Sequence, residues 1–150
     1  MPALYTGGCQ CGAVRYEIAA EPATIYVCHC EECQKQTASA FGMSVTFPTA
    51  SVKVIKGQMK VWRRKADSGA EVFCQFCPDC GSRLFHGKDS RAQFINLKAG
   101  TLDDRSWLKP VGHVWTKRRQ PWVCIEQGVL QFEAQPEDPQ ALFKAWDARR

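Results

Sequence analysis

No stretch of this chain is long and apolar enough to cross a membrane as a helix. The longest run without a charged residue, Gln36 to Val52, has 17 residues and contains Pro48 and six hydroxyl side chains. A span needs about 20 predominantly apolar residues. The opening Met1–Gly12 lacks both a basic segment and an apolar one, so no secretory signal is visible and a cytoplasmic protein is expected. Internal repeats, low-complexity tracts and a linker long enough to separate domains are also lacking. At 150 residues a single domain spanning 1–150 is expected, burying roughly 70% of its unfolded surface. Hydrophobic residues at 45% and charged residues at 23% exclude a disordered or collagen-like chain.

Against these absences stands an excess: nine cysteines. In a chain without an export signal, that many thiols points to metal rather than to disulfides. Eight of the nine fall in three tight groups: Cys9-Gln-Cys11, Cys28-His-Cys30-Glu-Glu-Cys33, and Cys74-Gln-Phe-Cys77-Pro-Asp-Cys80. Disulfides that close such short loops would gain little chain entropy. One tetrahedral zinc ion, by contrast, brings its thiolates to about 3.8 Å from one another. An ideal strand holds positions i and i+2 about 6.6 Å apart, so the backbone must bend at Cys9 and Cys11, and Gly7, Gly8 and Gly12 flank that pair.

The sharpest local pattern is Cys77-Pro-Asp-Cys80-Gly81, which reads as a zinc knuckle: Pro78 sets φ after the first ligand and Gly81 permits a tight turn. A knuckle supplies two ligands, and Cys9 with Cys11 is the natural complement. The four together predict a closed, structural thiolate site. Cys28, Cys30 and Cys33 offer three thiolates without a fourth cysteine of matching design, which is how catalytic zinc sites keep a position open. A short helix is expected after Cys30, with Glu31, Glu32 and Cys33 in its first turn, where free N–H groups favour negative charge. His29 should point away from its two neighbours in an extended segment, and His86 and His113 read as structural or partly exposed. Cys74 follows the alternation Val72, Cys74, Phe76 and reads as a core thiol, with the open site as its alternative partner. Cys124, after Pro121-Trp-Val, is expected to be buried. Gln34, Thr37 and Ser39 are candidate polar contacts near the metal, with helix surface as the plainer reading.

The rest of the chain predicts a mainly β, mostly antiparallel fold. Strands are expected over Ala13–Ile18, Ile25–Cys28, Met43–Phe47, Val52–Ile55, Met59–Arg63, Ala70–Phe76, Arg83–His86, Gln93–Lys98 and Gly112–Thr116, with turn signals every eight to twelve residues or so. A second helix, from Pro139, shows an apolar stripe of Leu142, Phe143 and Trp146. The formal charge is +5, but seven thiolates and two zinc ions would leave about +2. Arg63-Arg-Lys65 and Lys117-Arg-Arg119 read as solvated faces rather than a nucleic-acid surface.

Three segments together, Gly8-Cys-Gln-Cys-Gly-Ala-Val-Arg-Tyr16, Cys28-His-Cys-Glu-Glu-Cys-Gln-Lys-Gln-Thr-Ala-Ser39 and Phe76-Cys-Pro-Asp-Cys-Gly-Ser82, resemble the glutathione-dependent formaldehyde-activating enzyme family, which includes centromere protein V. Ala99-Gly-Thr-Leu-Asp-Asp104, Pro110, His113-Val-Trp115 and Pro121-Trp122 are similar to the family's second half. The resemblance implies a zinc-stabilised β-tent fold of antiparallel sheets with short helices. It also implies two zinc ions: a structural one on Cys9, Cys11, Cys77 and Cys80, and a catalytic one on Cys28, Cys30 and Cys33. The activity it implies is that of a carbon–sulfur lyase or synthase joining a small thiol such as glutathione to an aldehyde such as formaldehyde. A non-catalytic zinc module that recruits a protein or nucleic acid is the alternative. A thiol redox protein is disfavoured, because no βαβ pattern surrounds the Cys-x-x-Cys runs. Iron fits tetrahedral thiolate as well as zinc does.

Overall fold

The structure, a computed structural model, describes residues 2–89 and 91–149. It is mainly β with short helices. The chain forms two compact units, one taking in the chain up to Pro22 and Thr46–Trp107, the other Ala23–Val45 and the chain from Leu108 onward. Among the described residues no helix is long and apolar enough to cross a membrane.

In the first unit, β1 (Tyr5–Gly8) and β2 (Arg15–Ile18) form an antiparallel hairpin whose tip carries Cys9 and Cys11. The period-two pattern holds there: Val14, Tyr16 and Ile18 are each no more than 1% exposed. Each such burial contributes on the order of 1.5–3 kcal/mol. Sequence reading missed β1 because two of its four residues are glycine. One of those glycines has a packing cause, since a Cβ on Gly7 would lie 2.3 Å from the Tyr16 hydroxyl. That hydroxyl meets Thr101 Oγ1 at 2.9 Å, and the Tyr16 ring packs edge-on against Phe85 with centroids 5.2 Å apart. β5 (Val52–Lys56) closes this sheet on the far side of β2.

The same unit holds an antiparallel meander of β6 (Lys60–Lys65), β7 (Glu71–Phe76), β8 (Arg83–Gly87) and β9 (Phe94–Lys98). Cys74 sits mid-strand, opposite Trp62 on one side and His86 on the other, and is 3% exposed. It is the core thiol that the alternation predicts. The ladder shifts register between Gln75 and Phe76, and the β2–β5 ladder does so between Arg15 and Tyr16. Both irregularities lie beside a cysteine pair, where such bulges bend a strand and re-aim its side chains.

In the second unit, β3 (Thr24–Cys28) leads directly into α1 (Glu31–Thr37). β4 (Gly42–Pro48) contributes Gly42–Val45 here and its remainder to the first unit. β10 (Gly112–Val114) pairs with β3 and with β11 (Leu130–Gln131), and both ladders are parallel. The pairing is mostly antiparallel as expected, and these two ladders are exceptions to it. A strand that returns after a long excursion enters by a crossover rather than a hairpin, and parallel pairing needs such a crossover. α2 (Ala141–Ala148) buries Leu142 and Trp146, and the Leu142 carbonyl accepts from Thr24 Oγ1 at 2.9 Å.

Candidate metal centres

The first centre is made of two turns with one design. Cys9 and Cys11 are followed by Gly12, and Cys77 and Cys80 by Gly81, and both glycines take φ of +79°. L side chains rarely adopt that conformation, which explains glycine after each pair. The Gly12 amide donates to the Cys9 carbonyl at 3.1 Å and the Gly81 amide to the Cys77 carbonyl at 2.9 Å. The Gln10 amide ties the turns together by donating to Ser82 Oγ at 3.0 Å.

All four sulfurs lie within 4.8 Å of one another. Cys9 and Cys11 are 3.6 Å apart and Cys11 and Cys77 are 3.8 Å apart, close to the ~3.8 Å that tetrahedral thiolate ligation requires. Donors already surround them: the Val14 amide lies 3.2 Å from Cys9 Sγ, and the Ser82 hydroxyl 3.2 Å from Cys80 Sγ. The Ser82 hydroxyl, then its amide and that of Cys11, pull the Cys80 thiol down to about 5. Cys11 shows the cost of crowding. The Ala13 amide favours its thiolate, yet burial and the other three sulfurs push it up to about 12.

The second centre lies where β3 becomes α1. Cys30 is the helix N-cap, with extended backbone (φ −62°, ψ 156°), and its sulfur accepts from the Cys33 amide at 3.3 Å. Thiolate thus takes the place that a Ser or Asp oxygen usually fills. Glu31 and Glu32 occupy the first turn as expected, and the helix ends at Ala38 in the left-handed region (φ 51°). The sulfurs of Cys28, Cys30 and Cys33 form a group within 4.8 Å. Hydrogen bonds from Cys28 and Cys33 pull the Cys30 thiol down to about 2, while Cys30 and Cys33, and then burial, push Cys28 far up. Crowded sulfurs that resist ionising together are what a cation would relieve. Behind the sulfurs Val114 and Leu142 pack with Tyr26 and Trp115, giving the group an apolar floor.

Among the described residues no histidine, carboxylate or further cysteine joins either group. Both sets are compatible with zinc, one closed at four sulfurs and one with three. Cys74 lies in neither set. Gln34 and Thr37 are occupied elsewhere: Gln34 Nε2 donates to the carbonyls of His29 (2.7 Å) and Arg118 (2.9 Å), and Thr37 Oγ1 to that of Cys33 (2.7 Å). Both are half-buried and tie backbone carbonyls together, so neither is the plain helix surface of the simpler reading. Ser39 is exposed. Cys124 requires correction: it is exposed, not buried. Val123 beside it turns inward at 7% exposure, so its neighbour in this irregular segment faces out.

Sequence reasoning missed Gln36, whose Nε2 lies 3.5 Å from Cys33 Sγ. It also missed a buried string of rings, in which His29 Nε2 meets His113 Nδ1 at 2.8 Å and His113 Nε2 meets Glu126 Oε2 at 3.2 Å. Burial, with His113 next, pushes His29 down to about 4. The 84 residues that separate the two histidines carry no sign of this meeting. The basic runs are partly engaged at home, with Arg63 over Phe73, Lys117 over Trp115, and Arg118 at 3.5 Å from Glu31.

A mainly β chain with one four-cysteine and one three-cysteine cluster, each able to hold a metal ion, defines a class of thiol-rich proteins. Within that class, residues 4–118 match the family model described as glutathione-dependent formaldehyde-activating enzyme, and the chain belongs to that family. The structure is similar to the crystal structure of a Rhodobacter sphaeroides protein from structural genomics. That similarity has a TM-score of 0.53 at 18% identity, over 85% of this chain and 98% of the other.

Proposed function

We propose that this chain is a zinc-dependent carbon–sulfur lyase or synthase, forming and cleaving adducts between a small thiol of the glutathione kind and an aldehyde of the formaldehyde kind. Family membership supports the glutathione and formaldehyde chemistry. The observation that carries the rest is the incomplete set at Cys28, Cys30 and Cys33, three sulfurs with no fourth donor among the described residues. Structural zinc is closed by four ligands, whereas catalytic zinc keeps a position open. In this reading Cys9, Cys11, Cys77 and Cys80 hold a structural zinc, and Cys28, Cys30 and Cys33 hold the reactive one.

Zinc bound at the three sulfurs supplies a lowered pKa to a thiol at the remaining position. The reaction is an addition. A carbon–sulfur bond forms at the aldehyde carbon, the carbonyl π pair moves to oxygen, and the proton lost by sulfur ends on that oxygen. Cleavage reverses each change. The protein's own task is to hold its three sulfurs in register, through the Cys33 amide on Cys30 and Gln36 on Cys33, and to provide a dry apolar floor on which those charges interact strongly. The chemistry demands little beyond proximity, a lowered thiol pKa and a proton route.

The test is magnetisation exchange by NMR between free formaldehyde, glutathione and their adduct, with protein shown to carry two zinc ions and with a Cys30→Ser control. Acceleration that disappears in the control is expected. No acceleration by the two-zinc protein would remove this substrate pair.

A further inference from the structure

His29 and His113 are 0% and 4% exposed, yet they form a directed chain rather than filling space. Their ring planes are 20° apart and the centroids 5.1 Å apart. With only 2.8 Å between the facing nitrogens, that separation is met by rings lying edge to edge, so the N–H of one points along the lone pair of the other. The main chain of His29 is pinned on both sides. Its N–H donates to the Val114 carbonyl at 3.0 Å, and its carbonyl accepts from Gln34 Nε2 at 2.7 Å.

The direction of the chain follows from its outer end. The Glu126 side chain is 60% exposed, and a carboxylate has acceptors only. His113 must therefore present Nε2–H to it, and in a neutral ring Nδ1 is then the acceptor. His29 in turn must present Nε2–H to His113, leaving its own Nδ1 without a hydrogen. That atom is buried and has no hydrogen-bond partner among the described residues.

We propose that Glu126 and His113 are positioning residues that hold His29 in its Nε2–H tautomer, keeping the Cys28–Cys30 segment in one arrangement and leaving a buried Nδ1 acceptor on the His29 ring. A hydrogen-bonded partner on the far ring nitrogen is also how ligating imidazoles are oriented; here the device steadies the loop rather than a ligand. The inference rests on the reading that Cys28, Cys30 and Cys33 bind metal, and it adds how that loop is held.

The test uses the full zinc-loaded chain with nitrogen-15 in its histidines, because long-range proton–nitrogen correlations distinguish the two tautomers from the imidazolium. The expected spectrum has both His29 and His113 protonated at Nε2 only. Glu126→Gln, at an exposed position that leaves the fold intact, presents an amide that donates as well as accepts. It should replace the single state by a mixture at both rings and shift the absorption bands of cobalt bound at the three-sulfur site. An imidazolium or an Nδ1–H tautomer at His113 in the parent chain would overturn the assignment. Unchanged nitrogen shifts, or unchanged cobalt bands, in Glu126→Gln would overturn the positioning role. Turnover is not read, so loss of the thiol–aldehyde reaction and loss of this inference remain separate outcomes.

Discussion

The two cysteine groups of this protein use the same atom and opposite constructions. In the first unit four sulfurs come from two turns 66 residues or more apart in sequence, Cys11 to Cys77, and each turn ends in a glycine with φ of +79°. A metal held there would knot distant chain together, with four sulfurs to close its coordination. In the second unit three sulfurs come from six consecutive residues at a strand-to-helix junction, so binding there closes no long loop. The first arrangement suits stability and the second suits chemistry. Loop length and ligand count, not ligand type, separate them.

The two centres should differ most when one cysteine is removed from each. Structural zinc in small domains carries apparent binding energies of about 10–16 kcal/mol, comparable with the whole stability of a domain, about 5–15 kcal/mol. Cys77→Ser is therefore expected to unfold the first unit, seen as loss of the cooperative melt in circular dichroism. Cys30→Ser should remove one metal ion per chain by elemental analysis while moving the melting temperature by less than ~5 °C. Equal unfolding by the two substitutions would erase the distinction between them.

Gly7→Ala probes the frame around the four-sulfur centre. Its Cβ would meet the Tyr16 hydroxyl at 2.3 Å and the Thr101 carbonyl at 2.4 Å, and overpacking of this kind costs roughly 1–3 kcal/mol. A urea midpoint that falls without a change in m-value is the expected result. The metal content of the three-sulfur site should not change.

Gln36→Ala acts on the three-sulfur centre instead. It removes the amide 3.5 Å from Cys33 Sγ and leaves the first unit's four-sulfur centre untouched. Stability should change by less than about 1 kcal/mol. Cobalt bands of the three-sulfur site should shift, and those of the four-sulfur site should stay where they are.

The smallest effect belongs to Asp103, which Arg15 and then Thr6 hold down at about 2. Arg15 Nη1 donates to its carboxylate at 2.9 Å, but the pair is 33% and 47% exposed, and solvent screening limits it to about 1 kcal/mol or less. Because the folded-state pKa is depressed, the contribution is present in full above the unfolded value near 4. It fades as pH falls through about 2. The stability difference between the parent and Asp103→Asn should thus be flat from pH 7 to about 4 and shrink below it; a difference that grows in acid would reverse the assignment.

Most strands could be read from alternation, as Val14, Tyr16 and Ile18 show, because a period of two puts all three on one face whatever lies above them. The short helix after Cys30 was legible for a local reason too, since two acids suit a first turn, whereas its sulfur cap was not. The grouping of the cysteines was legible because ligand spacing is set by the metal's radius and not by the rest of the fold. Gly7 and Gly8 concealed β1, and the two residues of β11 are too few to show a period. Cys124 was misjudged because thiol burial is a preference of residue type, while the facing of one residue in an irregular segment depends on which neighbour turns inward.

Short-range geometry wrote most of the strands, the knuckle turns and the three-sulfur run into the sequence, and ligand counting matched the two distant cysteine pairs. Only the tertiary structure decided that β10 lies parallel beside β3, so that Val114 is bonded to His29 and His113 faces it 84 residues away. Hydrogen bonds between distant side chains leave no periodic trace in a sequence. They come into being when two backbones are brought to one register, and that register belongs to the sheet as a whole.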